Sequence, residues 1–167
     1  MKKSLLKKIV MAVGSALAFI MIFFVKVSAT NTLVLGDTTT TRNAGSSDFF
    51  VFLKDAKDNE MFGLARVFMW LGFILVTICV VYCVAILVME LLGKNKVIER
   101  MTLVTKIMQF VIIGSVVFVL IAGFDKEQIT MAGIAKETLS ITLFGFPWVL
   151  ALLFSVMPLT SQYLIKE

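Results

Sequence analysis

Between Arg66 and Glu90 the chain runs for 23 residues, VFMWLGFILVTICVVYCVAILVM, without a single charge. A helix of about 20 apolar residues crosses the hydrocarbon core of a bilayer. Three other stretches share this character: 9–25, preceded by MKKSLLKK, then 107–124, and 138–165, which holds Pro147 and Pro158. In lipid, each segment must satisfy its own backbone hydrogen bonds, so continuous runs of this kind are helices. Barrel strands would show as alternating segments of about ten residues, which these long runs do not resemble.

Composition agrees. Of 167 residues, 59% are hydrophobic and 16% charged, against about 25% charged in soluble domains, and the mean hydropathy is +0.98. The predicted fold class is an all-α integral membrane protein, a helical bundle. The net charge of +5 does not indicate nucleic-acid binding, because the basic residues flank the apolar runs, where Lys and Arg set topology. The bilayer itself is the first predicted partner.

Those flanks predict an orientation. Lys2, Lys3, Lys7 and Lys8 precede the first run, and Lys94, Lys96, Arg100 and Lys106 crowd the link between the second and third. The segment 30–66 has four basic residues among five acidic ones, and the link 125–137 has two among three. The positive-inside rule then places the amino terminus, the 94–106 loop and the carboxy terminus in the cytoplasm. The expected location is the bacterial cytoplasmic (inner) membrane, crossed several times.

The first run also has the layout of a secretory signal: a basic start, an apolar middle, and VSA ending at Ala29 as a cleavage site. The apolar part is longer than the usual 7–15 residues or so, and Lys26 stands close to the cut. We expect cleavage after Ala29. Residues 1–29 are then a signal peptide, and the mature bundle has three transmembrane helices. If the segment stays, it is a first span with the same orientation.

Residues 30–63 form the expected extracytoplasmic polar segment. Its first half, rich in Thr, Asn, Gly and Ser, has loop composition. Within 47–60, Phe49, Phe52, Leu53 and Ala56 repeat at i, i+3, i+4 and i+7 among charged residues, which predicts a short amphipathic helix. Lying at the outer surface, it would anchor the next span or offer Phe49, Phe52 and Leu53 to a partner. Residues 64–165 form the membrane domain, with spans at about 67–92, 103–124 and 138–158.

Little in the sequence points to chemistry. There is no His to act as base or ligand, and no phosphate-binding or metalloprotease motif. Cys79 and Cys83 share one helix face and lack further ligands for a metal, so packing explains them. Glu90, at the inner edge of its span, is expected to be an interfacial residue that snorkels or pairs with Lys94 at i+4. No catalytic residue, cofactor or metal is predicted, and the chain is read as a non-enzyme. The basic loop Lys94, Lys96, Arg100 and Lys106 is a topology determinant against anionic headgroups, or faces a lumen or cytoplasmic partner. Gly145 and Pro147 are expected to kink the last span, and Pro158 to end its regular part. Close helix approach is expected at the small residues Ala12 with Ala16, Gly14 with Ala18, Gly72 with Cys79, and Gly114 with Ser115.

The layout over residues 1–124, with a long signal, a polar mature start and two apolar helices joined by the basic GKNKVIER, resembles the pilin-type subunits of bacterial type IV secretion and conjugation systems. That resemblance implies helical hairpins packing side by side into a filament or pore, with the basic loop at one end or toward the lumen. The fourth run and the longer outer segment depart from it. A non-pilin membrane component of such a machine fits equally. The expected function is therefore a non-enzymatic membrane subunit of a bacterial assembly, associating with itself and other subunits through helix packing. The alternatives are an accessory subunit or small transporter working at the Gly145–Pro147 helix, and a holin-like pore former, although IKE is an unusually weak charged tail for the latter.

Overall fold

A computed structural model describes residues 3–58, 62–131, 135–144 and 146–164. It contains α1 (Lys3–Phe23), β1 (Lys26–Leu35), β2 (Thr38–Asp48), α2 (Phe49–Asp58), α3 (Gly63–Leu91), α4 (Asn95–Arg100), α5 (Thr102–Ala122), β3 (Lys126–Met131), β4 (Ala135–Phe144) and α6 (Pro147–Leu164).

Three helices, α1, α3 and α5, are long and apolar enough to cross a membrane. With 29 residues, α3 is about 43 Å long at about 1.5 Å per residue, more than the hydrocarbon thickness requires. The apolar stretch of α6, Pro147–Ser161, is shorter. The helices pack as α1 against α6 and α3, and α5 against α3 and α6. Each buries one stripe. On α1 the stripe is Met11, Ala12, Gly14, Ser15, Ala18 and Ile22, one helix face at i, i+3, i+4, i+7 spacing.

Backbones come close where the side chain is missing. A Cβ on Gly14 would lie 2.7 Å from Met157 Cβ on α6, and one on Gly72 would lie 2.6 Å from Val119 Cγ2 and 2.9 Å from the Ser115 carbonyl on α5. Two of the expected small-residue contacts therefore mark real crossings. Gly114 does not, since a Cβ there would meet open space.

The all-α expectation needs correcting. A four-stranded antiparallel sheet of order β2-β1-β4-β3 stands beyond one end of the bundle. The first hairpin occupies the stretch predicted as loop. Its Thr residues are β-branched and favour strands. Gly36 at φ 56° serves the turn, and Gly45 at φ 100° lies beside a register shift at Ala29/Thr30, a bulge that glycine accommodates. The second hairpin returns through residues 138–144, predicted as the start of the last span. There Leu139, Ile141 and Leu143 alternate with Thr138, Ser140 and Thr142, a period of two that suits a strand and not a helix. The final helix consequently starts at Pro147.

One face of the sheet sits on the helices: Val27, Ile141 and Leu143 are buried in the main core with Ile22, Val119 and Ala122. Leu143 packs against the backbone at Gly123, just beyond α5. The opposite face carries Ser28, Thr30 and Thr32 of β1 beside Thr142, Ser140 and Thr138 of β4. The bundle beneath is sealed by aromatic rings. Phe50 touches Phe73, Phe23 and Trp70 at centroid distances of 5.0, 5.2 and 5.9 Å, and Phe19 stacks on Phe73 at 5.4 Å.

Candidate functional site

At the end of the bundle away from the sheet, α1, α3, α4 and α5 enclose a polar cleft. Its centre is Glu90 in the last turn of α3. Lys8 Nζ approaches Glu90 Oε2 at 3.2 Å, Ser4 Oγ donates to Glu90 Oε1 at 2.8 Å, and Lys8 Nζ donates to Ser4 Oγ at 2.8 Å. The two charged side chains are 16% and 11% exposed, so the pair is shielded enough to matter. The expected Lys94 partner is replaced by Lys8 for a geometric reason. The α3 helix stops at Leu91 and the chain turns at Gly93, φ 70°, so position i+4 no longer lies on the same face.

The cleft, about 680 Å³, is lined by Ser4, Lys7, Lys8, Glu90, Asn95 and Thr102 among others. A narrower pocket of about 140 Å³ shares Lys7, Lys8 and Thr102 with it and reaches Met11, Gln109 and Ser161. Gln109 is 2% exposed, and its Nε2 points at Met11 Sδ, 3.4 Å away. Nearby, Tyr82 Oη lies 2.8 Å from Thr105 Oγ1. Buried Ser15, Ser115, Ser155 and Ser161 each donate to a carbonyl in the preceding turn of their own helix. These hydroxyls are satisfied locally. Among the described residues, no three His, Cys, Asp or Glu side chains gather into a metal-holding group.

The other predicted positions fall in different places. Lys94, Lys96, Arg100 and Lys106 are all exposed around α4 and the start of α5, with Lys94 as the residue before α4. They form a basic rim beside the cleft, which the sequence did not predict. Cys79 and Cys83 are free and buried in α3.

Three expectations are overturned here. Phe49, Phe52 and Leu53 are 0%, 7% and 1% exposed; they are core of the protein and not an outer contact face, because α2 tucks its apolar side under the sheet and against α3. Pro147 does not kink the last span. It is the first residue of α6, where its missing N–H has no helical partner to lose. Nor does Pro158 end the regular helix as expected: it lies inside α6, which continues to Leu164. Gly145 lies outside the described residues.

A second polar feature lies on the sheet and corresponds to no local sequence pattern. Asn31 Nδ2 donates to Glu137 Oε1 at 2.6 Å, and both border a hollow of about 240 Å³ with Leu33, Thr40 and Arg42. Below it, Glu127 Oε2 accepts the Phe62 amide at 2.9 Å, tying β3 to the corner between α2 and α3. Phe62 itself is left-handed, φ 51°. Arg66 Nη1 donates to the Ala56 carbonyl at 2.9 Å, closing the same corner.

No protein-family model, no curated protein and no solved structure matches the chain.

Proposed function

We propose that the protein is a non-enzymatic membrane subunit of a bacterial multiprotein assembly, of the secretion or conjugation kind, and that it works through contacts with other membrane subunits and with itself. The carrying observation is how little of each long helix the chain buries for itself. Only 33%, 28% and 28% of the apolar windows of α1, α3 and α5 lie inside the structure. The remaining faces are apolar and open to lipid or to neighbouring helices. The self-satisfied buried serines support the same reading, since no hydroxyl among them is aimed at a substrate.

In this reading α1, α3, α5 and α6 alternate across the cytoplasmic membrane, with the cleft and basic rim inside and the sheet outside. The α3–α5 hairpin with its basic link is the part that resembles pilin-type subunits. The sheet makes a filament of bare hairpins a poorer fit than a component with an outer platform. Segment α1 acts as a permanent first span, because it packs along both α6 and α3 and supplies Lys8 to Glu90.

One observation favours a second reading. The cleft continues inward to a buried Gln109, and a polar group within a span is often functional. That would suit an accessory subunit or a small transporter. Affinity purification from membranes in mild detergent, with mass spectrometry of the accompanying proteins, tests the first reading. Recovery of the chain alone, together with solute uptake by the isolated protein, would replace it with the second.

A further inference from the structure

We infer that the outer sheet joins copies of this chain head to tail, the β2 edge of one pairing with the β3 edge of the next. The inference rests on the membrane reading above, in which all copies share one orientation.

Strand direction comes first. Strand β1 leaves the bundle from α1 and β2 returns to α2, while β3 leaves from α5 and β4 returns to α6. In the order β2-β1-β4-β3 the senses are therefore inward, outward, inward, outward. Rotation about the membrane normal preserves these senses. A neighbour presenting β2 beside β3 continues the alternation and makes an antiparallel pair, the more stable type. Like edges meeting would set two strands of the same sense side by side.

Register comes second. Arg42 is paired with Asn31, Asn31 with Leu139, and Leu139 with Glu127, so one row across the sheet has a cation at one edge and a carboxylate at the other. Along the row above the turn, Thr38 aligns through Leu35 and Ala135 with Met131; at the other limit, Asn43 aligns through Thr30 and Ser140 with Lys126. All of β3, Lys126–Met131, thus lies level with residues 38–43 of a neighbour placed at the same height. In that arrangement Glu127 faces the next copy's Arg42. The bulge at Gly45 begins just past the level where β3 starts, so β2 departs from regular pairing only where β3 has nothing to offer.

The β2 edge is also open. Among the described residues, the backbone hydrogen bonds made outside regular elements include none to Thr38–Asp48. That strand contains no Lys and no Pro, the residues that commonly block an edge. Because the two edges differ, the contact is heterologous and propagates to a ring or a row.

The test uses the full chain in native membranes. Within one copy the two edges stand three strand spacings apart, about 14 Å at about 4.8 Å each, too far for an internal disulfide. The native Cys79 and Cys83 are buried in α3. On mild oxidation the double variant Arg42→Cys/Glu127→Cys should give a reducible ladder of dimers, trimers and larger species, and each single variant should stay monomeric. Because Glu127 also holds the Phe62 amide, the pair Asn43→Cys/Lys126→Cys serves as a second reporter and should give the same ladder. In that background Arg42→Glu should remove most of the ladder, and adding Glu127→Arg should restore it. Absence of a ladder with both pairs, dimers from Arg42→Cys alone, or bonds to a different polypeptide would each overturn the inference. If partners still copurify while the ladder fails, edge pairing falls and the proposed function stands; a ladder without partners gives the reverse.

Discussion

Lys8 Nζ lies 3.2 Å from Glu90 Oε2, linking the second turn of α1 to the last turn of α3 across 82 positions of sequence. The pair sits where the bundle meets the polar cleft, and Ser4 completes it. Removing either charge takes the ion pair from a partly shielded partner that keeps its hydrogen bond with Ser4. Glu90→Gln or Lys8→Met should cost about 1–2 kcal/mol, between exposed and fully buried pairs. A double-mutant cycle by thermal unfolding in detergent checks it, and additive effects would show that the two residues do not interact.

The two helix crossings make a prediction with its own control. Gly72→Leu must push aside Val119 and a backbone carbonyl, and Gly14→Leu must displace Met157 and the α6 backbone. Each should destabilise by about 1–3 kcal/mol through overpacking. Gly114→Leu projects into open space and should stay within about 0.5 kcal/mol. Melting temperatures of the three variants would rank them in that order.

The peptide bond after Ala29 lies inside the central strand β1, where Ala29 is paired on one side with Gly45 and on the other with Ile141. Val27, two positions earlier, is 1% exposed. A peptidase needs this stretch extended and unpaired, and folding places it in the middle of a sheet. The mass of a carboxy-terminally tagged chain from membranes should therefore include α1. A product beginning at Thr30 would show that cutting precedes sheet formation.

Topology can be mapped with the same cysteine chemistry. Lys96→Cys, in α4, should resist an impermeant thiol reagent in intact cells and react after the membrane is opened. Asp37→Cys, in the turn between β1 and β2, should react at once. The opposite pattern would invert the orientation, though not the fold.

Much of the helical part was legible because lipid leaves so few options. The run 67–89 reads as a helix of spanning length, and α3 matches it, extended to Gly63 at its amino-terminal end and to Leu91 at the other. The amphipathic spacing of Phe49, Phe52, Leu53 and Ala56 likewise locates α2, but not the surface it covers. Periodicity says that one face is apolar, not whether membrane or protein covers it. The sheet is hidden in the sequence for two reasons. Thr and Ser in 38–47 have the composition of a loop, and the alternation over 138–144 was hidden by merging with the apolar helix behind it. The cleft was illegible, since Ser4, Lys8, Glu90, Thr102 and Gln109 come from three helices and form no local pattern.

By itself the sequence determined that the chain forms helices long and apolar enough to cross a membrane and which links carry the basic charge, because both are local properties of consecutive residues. Only the tertiary structure decided that two polar links pair into one sheet, that Phe49 and Leu53 face inward, and that Lys8 meets Glu90. Those outcomes depend on which distant segments lie side by side, and the free energy of such meetings is written in no single stretch of the chain.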